Sequence, residues 1–238
     1  MNSGCEYIFY PRNKKQAGVL HMKTDHVIKK SLNIIIANRL KEDIWNRQIL
    51  LGERLIESEL AKRFDVGRST IREALIMLEQ KGLIISKARR GTYVTQFSKQ
   101  DIKEIIDLRI LIETNAFINS LPSLKDHQFH DLENILKEIE HSVEKKDWTI
   151  LFDLDMKFHS YVVNLCGNSR MIKIYNSTQA QTRAYLGYID QYYSSHQAFY
   201  REHLDLFKVL KQKNTNLLKK QLKCHIKYAE TTLIYAHS

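Results

Sequence analysis

The chain has little of what several classes of protein depend on. Its 238 residues include 2 prolines, 8 glycines and 3 cysteines. An odd number of cysteines without CxxC or zinc-finger spacing argues against a disulfide framework and indicates a reducing compartment, so we expect a cytoplasmic protein. No apolar run approaches the roughly 20 residues of a membrane span, and the N-terminus lacks the hydrophobic segment of a signal peptide. We therefore expect no membrane partner.

Positive charge is concentrated in the first part of the chain. Residues 1–98 hold 18 Lys and Arg against 10 Asp and Glu, whereas residues 99–238 hold 19 against 17, and the formal net charge is +10. The length suits two domains. A basic first part joined to a near-neutral second part predicts that the first part meets a polyanion, although a solvated basic surface would have the same composition.

A helix-turn-helix pattern occupies residues 57–82. Apolar residues recur at helical spacing in two segments separated by Asp65, Val66 and Gly67, so the apolar faces can pack together. Gly67 stands at the N-cap of the second helix, and Gly82 predicts a left-handed end after it. The outer face and first turn of this helix, where backbone amides also point outward, are the predicted DNA contact. The contact residues are Arg68, Ser69, Thr70 and Arg72.

Two β-prone runs follow the second helix, at residues 83–87 and 92–95. They predict a hairpin whose positively charged tip is formed by Arg89, Arg90 and Gly91. A hairpin of this kind reaches phosphates or the minor groove. Apolar residues at helical spacing from about Thr24 to Asn46 predict a further helix that packs behind the helix-turn-helix. Residues 22–97 are therefore the predicted DNA-binding domain.

Residues 1–21 match neither pattern and are expected to be a disordered extension. Met22 is a candidate natural start. The alternative is a basic arm that adds nonspecific affinity for DNA.

The residues of the first domain resemble the winged helix-turn-helix of GntR-type repressors. Matching positions run in register from Glu57 to Ala61, from Val66 to Leu75, and at Gly82, Leu83 and Gly91. The resemblance implies that double-stranded operator DNA is contacted by Arg68, Ser69, Thr70 and Arg72, with Arg90 and Gly91 at the wing tip. Ser58 stands where many relatives have arginine, and Gly67 where they usually have Ser or Thr. We expect operator sequence and affinity to differ accordingly.

Residues 98–238 predict an all-helical domain. Helical periodicity appears in six blocks near 99–120, 124–146, 148–166, 169–190, 195–212 and 215–236, and Ser98 is placed to cap the first. We therefore predict six helices and no sheet in the second domain. The predicted fold class is mainly α, with an N-terminal winged helix-turn-helix domain and a C-terminal helical bundle.

Four potential metal ligands lie in this second domain. Asp155 and His159 are four residues apart on one predicted helix face, and His203 and His225 lie on two other helices. Carboxylate and imidazole groups suit Zn, Ni, Mn or Fe, and a helical bundle can bring such groups together. A lone histidine on a helix is more often simply hydrogen-bonded, but the set of four favours a divalent transition metal.

The second domain resembles FCD, the all-helical effector domain of the FadR subgroup of GntR regulators, over nearly all of residues 99–236. The matching residues occur in the same order and are Asp107, Leu108, Arg109, Glu113, Asp155, Phe158, His159, Gly167, Asn168, Glu202, His203 and His225. The resemblance implies a homodimer and a metal bound by the Asp and the three His. Six helices are typical of the VanR-like branch.

A metal with open coordination positions can accept the carboxylate of a small organic acid, and Arg109 and Arg183 are the predicted effector-binding cations. Arg109 has an equal alternative, a structural ion pair with Glu113 one turn away. Four tyrosines are candidates to line the mouth of the effector pocket. The alternative is that they only pack in the core, as aromatic side chains at helical spacing more often do. The four tyrosines are Tyr185, Tyr188, Tyr192 and Tyr193.

Together the patterns predict a ligand-responsive transcription regulator, a repressor and not an enzyme. Two alternatives stay open. A metal-dependent hydrolase would need further acid/base groups, and no HExxH pattern accompanies the predicted ligands. A constitutive or architectural DNA binder would use the histidines structurally, and metal analysis with ligand-dependent thermal shift separates it from a sensor.

Overall fold

The structure, a computed structural model, describes the backbone of residues 20–189 and 195–235, with the side chains of 32–188 and 195–228. The extension predicted for residues 1–21 lies almost entirely outside the described residues, and its last two residues belong to the first helix, which begins at Leu20. The candidate pocket residues Tyr192 and Tyr193 also lie outside the described residues.

The first domain is a three-helix unit with a small sheet. Its elements are α1 (Leu20–Trp45), β1 (Arg54–Leu55), α2 (Glu57–Phe64), α3 (Arg68–Gln80), β2 (Ile84–Lys87) and β3 (Gly91–Val94). The predicted hairpin is confirmed, since β2 and β3 pair antiparallel, and β1 pairs with the other edge of β3. The two-residue β1 was not predicted, because a segment so short carries no alternation in the sequence.

The turn between α2 and α3 has the geometry that its sequence indicates. Asp65 adopts the left-handed conformation with φ of 50°, and its backbone N–H returns to the carbonyls of Ala61 and Lys62. Gly67 is the extended N-cap of α3, and Gly82, with φ of 66°, follows the helix as predicted. Buried apolar side chains of α1, α2 and α3 form one core, which includes Leu40, Ile44, Leu60, Ile71, Ala74, Leu75 and Leu78.

The second domain contains six α-helices among the described residues. They are α4 (Lys99–Ser120), α5 (Asp126–Lys145), α6 (Trp148–Asn164), α7 (Ser169–Ile189), α8 (His196–Gln212) and α9 (Thr215–Tyr235). The prediction of six helices is confirmed. Ser98 caps α4 as expected, because its Oγ accepts a hydrogen bond from the backbone N–H of Asp101 while the Asp101 carboxylate accepts one from the backbone N–H of Ser98.

The core of the second domain is rich in phenylalanine. Phe117, Phe158 and Phe199 are almost completely buried and come from α4, α6 and α8. Their rings surround a group of buried polar side chains, so that group lies in an apolar environment. None of the helices described is both long enough and apolar enough to cross a bilayer.

The two domains pack against each other through α7. Ala180 and Ala184 of this helix are buried in the core of the first domain. The indole Nε1 of Trp45, at the end of α1, donates a hydrogen bond to the carbonyl of Ala180 at 3.1 Å. This packed junction across α7 was not predicted from the sequence, because the residues that form it are far apart along the chain.

Candidate metal centre and nucleic-acid interface

The four predicted metal ligands lie together in the interior of the second domain. α6 carries Asp155 and His159, α8 carries His203, and α9 carries His225. All four are buried, and one potential ligand atom from each lies within 4.8 Å of the others. Asp155 and His159 are adjacent because residues four apart face the same side of a helix.

The ligand atoms that converge are imidazole Nε2 atoms and a carboxylate oxygen. Nε2 of His159 is 3.0 Å from Nε2 of His225, and Nε2 of His203 is 3.1 Å from Oδ1 of Asp155. The same Oδ1 is 3.8 Å from Nε2 of His159 and 3.9 Å from Nε2 of His225. The centre of the cluster is therefore surrounded by four potential donor atoms from three helices.

The other ring nitrogen, Nδ1, is hydrogen-bonded to an acceptor in two of the three histidines. Nδ1 of His159 lies 2.5 Å from Oε2 of Glu113, and Nδ1 of His203 donates to the carbonyl of Phe199 at 2.9 Å. Nδ1 of His225 is 3.4 Å from Oε2 of Glu202 but makes no hydrogen bond. In His159 and His203, the acceptor at Nδ1 favours the neutral tautomer that carries its proton there and leaves the Nε2 lone pair pointing into the cluster.

Two groups of the cluster have strongly shifted pKa values. Burial lowers the pKa of His225 well below its ordinary value, and the adjacent His203 and His159 lower it further, so this imidazole is neutral at pH 7. Burial alone would raise the pKa of Asp155, but His159, His203 and Arg109 outweigh it and hold that pKa far below its usual range. A neutral His225 imidazole thus lies beside an ionised Asp155 carboxylate.

Such a set of lone pairs fits a divalent transition metal. The Nε2 atoms of His159 and His225 lie 3.0 Å apart beside an ionised carboxylate, and a cation bound there would be attracted by all three groups. Oδ2 of Asp155 is buried without a hydrogen-bond partner. Imidazole nitrogen and carboxylate oxygen are ligands for Zn, Ni, Mn or Fe. The residues present therefore fit the predicted group.

Arg109, one of the two predicted effector-binding cations, lies beside this cluster. Its Nε donates to Oε1 of Glu113 at 2.7 Å and its Nη1 to Oη of Tyr185 at 3.0 Å, while Nη2 is 3.9 Å from Oδ2 of Asp155. The alternative considered from the sequence, an ion pair with Glu113, is present. Because Glu113 also contacts His159, Arg109 is connected to the ligand set through one shared carboxylate.

Arg183, the other predicted cation, faces a different part of the protein. Its Nε contacts Oδ1 of Asp153 at 2.6 Å, and its guanidinium lies over the rings of Trp45 and Phe152. Asp153 and Asp155 are two residues apart on α6 and point to opposite sides of it. The structure therefore holds Arg183 at the domain junction and not in the metal cluster. Tyr185 is buried, whereas Tyr188 lines a cavity at the junction.

The predicted DNA-reading residues differ in exposure. Arg68, Ser69 and Arg72 are exposed at the start of α3, whereas Thr70 is only 5% exposed. The side chain of Thr70 therefore contributes to packing and has little surface for a base. Nε of Arg72 contacts Oε2 of Glu57 at 2.8 Å, so α2 holds this guanidinium on the outer surface. The roles of these residues in DNA binding stay predictions.

The β2–β3 hairpin is the wing, and Arg54 lies beside its tip although the sequence did not predict it there. At the tip itself, Arg89 adopts φ of 61° and Gly91 φ of 106°. A Cβ atom on Gly91 would lie 3.1 Å from Nε of Arg54, which belongs to β1. Arg54 is exposed and thus joins the predicted tip residues Arg89 and Arg90. Only the pairing of β1 with β3 brings Arg54 to the wing, and no local pattern indicates that pairing.

We expect replacement of Arg54, Arg89 and Arg90 by alanine to reduce affinity for all DNA sequences alike. Each lost phosphate contact reduces the slope of log K against log salt by about 1. Fluorescence anisotropy at several salt concentrations, with operator and random duplexes, measures this slope. Arg201→Ala, an exposed change on α8, is the charge-matched control for the single Arg54→Ala variant. An unchanged slope in the Arg54→Ala variant would remove Arg54 from the interface.

Each of the two domains matches a known protein family. Residues 35–94 match the bacterial regulatory proteins of the gntR family, and residues 104–228 match the FCD domain. The chain therefore belongs to the gntR family of regulators and carries an FCD domain. It is a DNA-binding transcription regulator.

Relatives align over most of the chain. The HTH-type transcriptional regulator YdhC of Bacillus subtilis is 30% identical over 194 residues, which are 80% of this chain and 86% of that protein. The HTH-type transcriptional repressor RspR of Escherichia coli is 26% identical over 187 residues, 79% and 82% of the two chains. The crystal structure of a GntR transcriptional regulator from Rhodococcus sp. RHA1 superposes with a TM-score of 0.74 at 24% identity, over 87% and 99% of the chains. This last match confirms the fold.

Proposed function

We propose that this regulator is a homodimeric, cytoplasmic repressor of the FadR subgroup that senses a small organic acid. The proposed sensor is a divalent transition metal held by the cluster of Asp155, His159, His203 and His225. The observation that carries the proposal is the convergence of three Nε2 atoms and a carboxylate oxygen within 4.8 Å, in a cluster that is buried throughout.

The metal, when bound, would supply a Lewis acid that accepts a carboxylate oxygen of the effector. The protein's own contribution is to orient the ligands and to balance charge. Glu113 and the carbonyl of Phe199 hold two of the imidazoles in the tautomer that exposes Nε2. Arg109 lies between the carboxylates of Glu113 and Asp155, so its positive charge offsets part of their negative charge.

α7 gives the sensor a physical connection to the DNA-binding domain. The hydroxyl of Tyr185 accepts a hydrogen bond from Arg109, which lies beside the metal cluster. The neighbouring Ala184 packs in the core of the first domain. A displacement of α7 would therefore move groups in both domains. An effector can release DNA only to the extent that it binds two such conformations with different affinity.

Exposed apolar side chains support the homodimer. On α4, Leu111 is 63% exposed and Leu108 lies one turn before it. Leu108 shares a groove with Thr178 of α7, and the exposed Ile174 lies one turn before Thr178. A second copy covering this α4–α7 face would bury these side chains, and the dimer would present two DNA-binding domains to two half-sites.

Repression is proposed because RspR, a relative over 79% of the chain, is named as a repressor.

Metal removal tests the sensor directly. We expect protein purified without chelators to contain about one transition metal ion per chain by elemental analysis. Removing it should lower the melting temperature by about 5 °C or more, since 1 kcal/mol of lost binding energy shifts a protein of this size by roughly 2–4 °C. Small carboxylates should raise the melting temperature of the metal-loaded protein only.

Two results together would contradict the sensor. One is the absence of metal from such preparations, without stabilisation by added Zn, Ni, Mn or Fe. The other is an equal thermal shift by carboxylates before and after chelation. The histidines would then be structural, as in the constitutive DNA binder considered from the sequence.

A further inference from the structure

A cavity of about 330 Å³ lies between the two domains. The end of α1 lines one side, and the beginning of α6 with the end of α7 lines the other. Three cationic side chains face it, from Arg47, Lys146 and Arg183, together with one carboxylate, from Asp147. The Asp147 carboxylate already accepts the backbone N–H of Thr149 as the N-cap of α6. Arg183 is also paired with Asp153 at 2.6 Å, so three cations stand against two carboxylates and the balance of charge is positive.

Arg183 has one nitrogen without a partner in this region. The side chain is 1% exposed, with Nε on Oδ1 of Asp153 and Nη2 on the carbonyl of Thr149 at 3.0 Å. Its Nη1 is buried and makes no hydrogen bond. A Cβ atom on Gly187 would lie 3.4 Å from Nη1, so the glycine leaves space beside it. Burying an unpaired charged donor is costly, and an anionic acceptor in the cavity would remove that cost.

The walls beside this nitrogen are aromatic. Trp45, Trp148 and Phe152 line the cavity, and the guanidinium of Arg183 lies 5.6 Å from the ring centre of Trp45. A second cavity of about 280 Å³ shares Trp45, Arg47 and Gly187 with the first. Its other lining residues are Tyr188 and five aliphatic residues, Ile44, Ile49, Leu50, Leu51 and Ala184. The space therefore has a cationic end at Arg183 and a mainly apolar end.

We propose that this junction is a second ligand site, separate from the metal cluster, for a small arylcarboxylate. The carboxylate accepts a hydrogen bond from Nη1 of Arg183, and the planar ring lies among Trp45, Trp148 and Phe152. The site lies beyond the proposed metal sensor and does not depend on it, because none of its lining residues belongs to the metal cluster.

A ligand at this position contacts both domains at once. Trp45 and Arg47 belong to the DNA-binding domain, whereas Trp148 and Arg183 belong to the helical domain. Binding therefore stabilises the arrangement in which α1 is docked on α7, relative to any arrangement in which the domains separate.

The tryptophans make the test specific, because the chain has 2 of them, at positions 45 and 148, and both line the cavity. The test measures the intrinsic tryptophan fluorescence of the full chain during titration with benzoate, and separately with its neutral analogue benzamide. We expect a saturable change with benzoate and affinity about ten-fold or more weaker for benzamide, since the charge-assisted hydrogen bond is lost. The benzoate response should persist after chelation and in a His203→Ala, His225→Ala variant.

Arg183→Gln should weaken benzoate binding by about ten-fold or more, while Arg170→Gln, an exposed change on the same helix, should leave it unchanged. Circular dichroism verifies the fold of both variants. If Arg183→Gln does not fold, the exposed Arg47→Gln takes its place, with an expected loss of several-fold.

Four outcomes would overturn the proposal. These are no fluorescence change with benzoate, equal affinity for benzamide, loss of the response on chelation, and unchanged benzoate affinity in the folded arginine variant. The third outcome would assign benzoate to the metal cluster instead.

Discussion

A His203→Ala, His225→Ala variant is expected to lose both the bound metal and the response to effector while retaining DNA binding. The change removes two of four proposed ligands, from α8 and α9. Altering only a group that orients a ligand costs about 10–100-fold in metal affinity, so the loss of two ligands should exceed that. DNA binding should survive because the reading helix α3 belongs to the other domain and packs on a different core.

The measurements are elemental analysis, melting temperature with and without chelator, and gel shift with and without effector. The matched control is His130→Ala, His141→Ala, which removes two exposed histidines from α5. The control should keep the metal and the chelator-dependent melting temperature. Retention of metal and a full effector response in the His203, His225 variant would reject the proposed ligand set.

Arg68→Ala and Arg72→Ala are each expected to weaken operator binding. An arginine that reads a base edge contributes about 1–3 kcal/mol, which is a factor of roughly 5–150 in affinity. The fold should be unaffected, because both side chains are exposed on α3. The contact of Arg72 with Glu57 is a surface ion pair, and such pairs contribute about 0–1 kcal/mol to stability.

Gel-shift titration against operator and random DNA measures the effect, and circular dichroism verifies the fold. Gln80→Ala is the control, since this exposed residue ends the same helix at the opposite terminus. Unchanged operator affinity in both arginine variants, with unchanged circular dichroism, would show that α3 is not the reading helix. A loss of affinity shared equally by all sequences would indicate phosphate contacts instead of base reading.

Features that depend on local periodicity were predictable from the sequence alone. Six helices of the second domain follow from apolar residues at helical spacing, and the observed ends lie within two residues of the predicted ones. Gly67 and Gly82 marked the ends of α3 because helix termini have particular conformational needs. Asp155 and His159 could be placed together because a spacing of four residues fixes a shared face.

Which neighbour each helix face contacts could be seen only in the folded chain. The contact predicted for Glu113 was with Arg109, yet Glu113 also contacts His159 on another helix. Arg183 was expected beside the metal, but its position on α7 turns it toward Trp45. Spacing along one helix gives the direction of a side chain relative to that helix. It does not specify how two helices are rotated against each other.

The same limit applies to the DNA-binding domain. Thr70 was counted with the exposed residues of α3, but it is buried by packing that its position in the first turn does not reveal. Arg54 reaches the wing only because β1 pairs with β3 across a long sequence separation. Local propensity and periodicity are encoded within a few residues. Contacts such as these depend on how the whole chain packs, and so they became visible only in the folded protein.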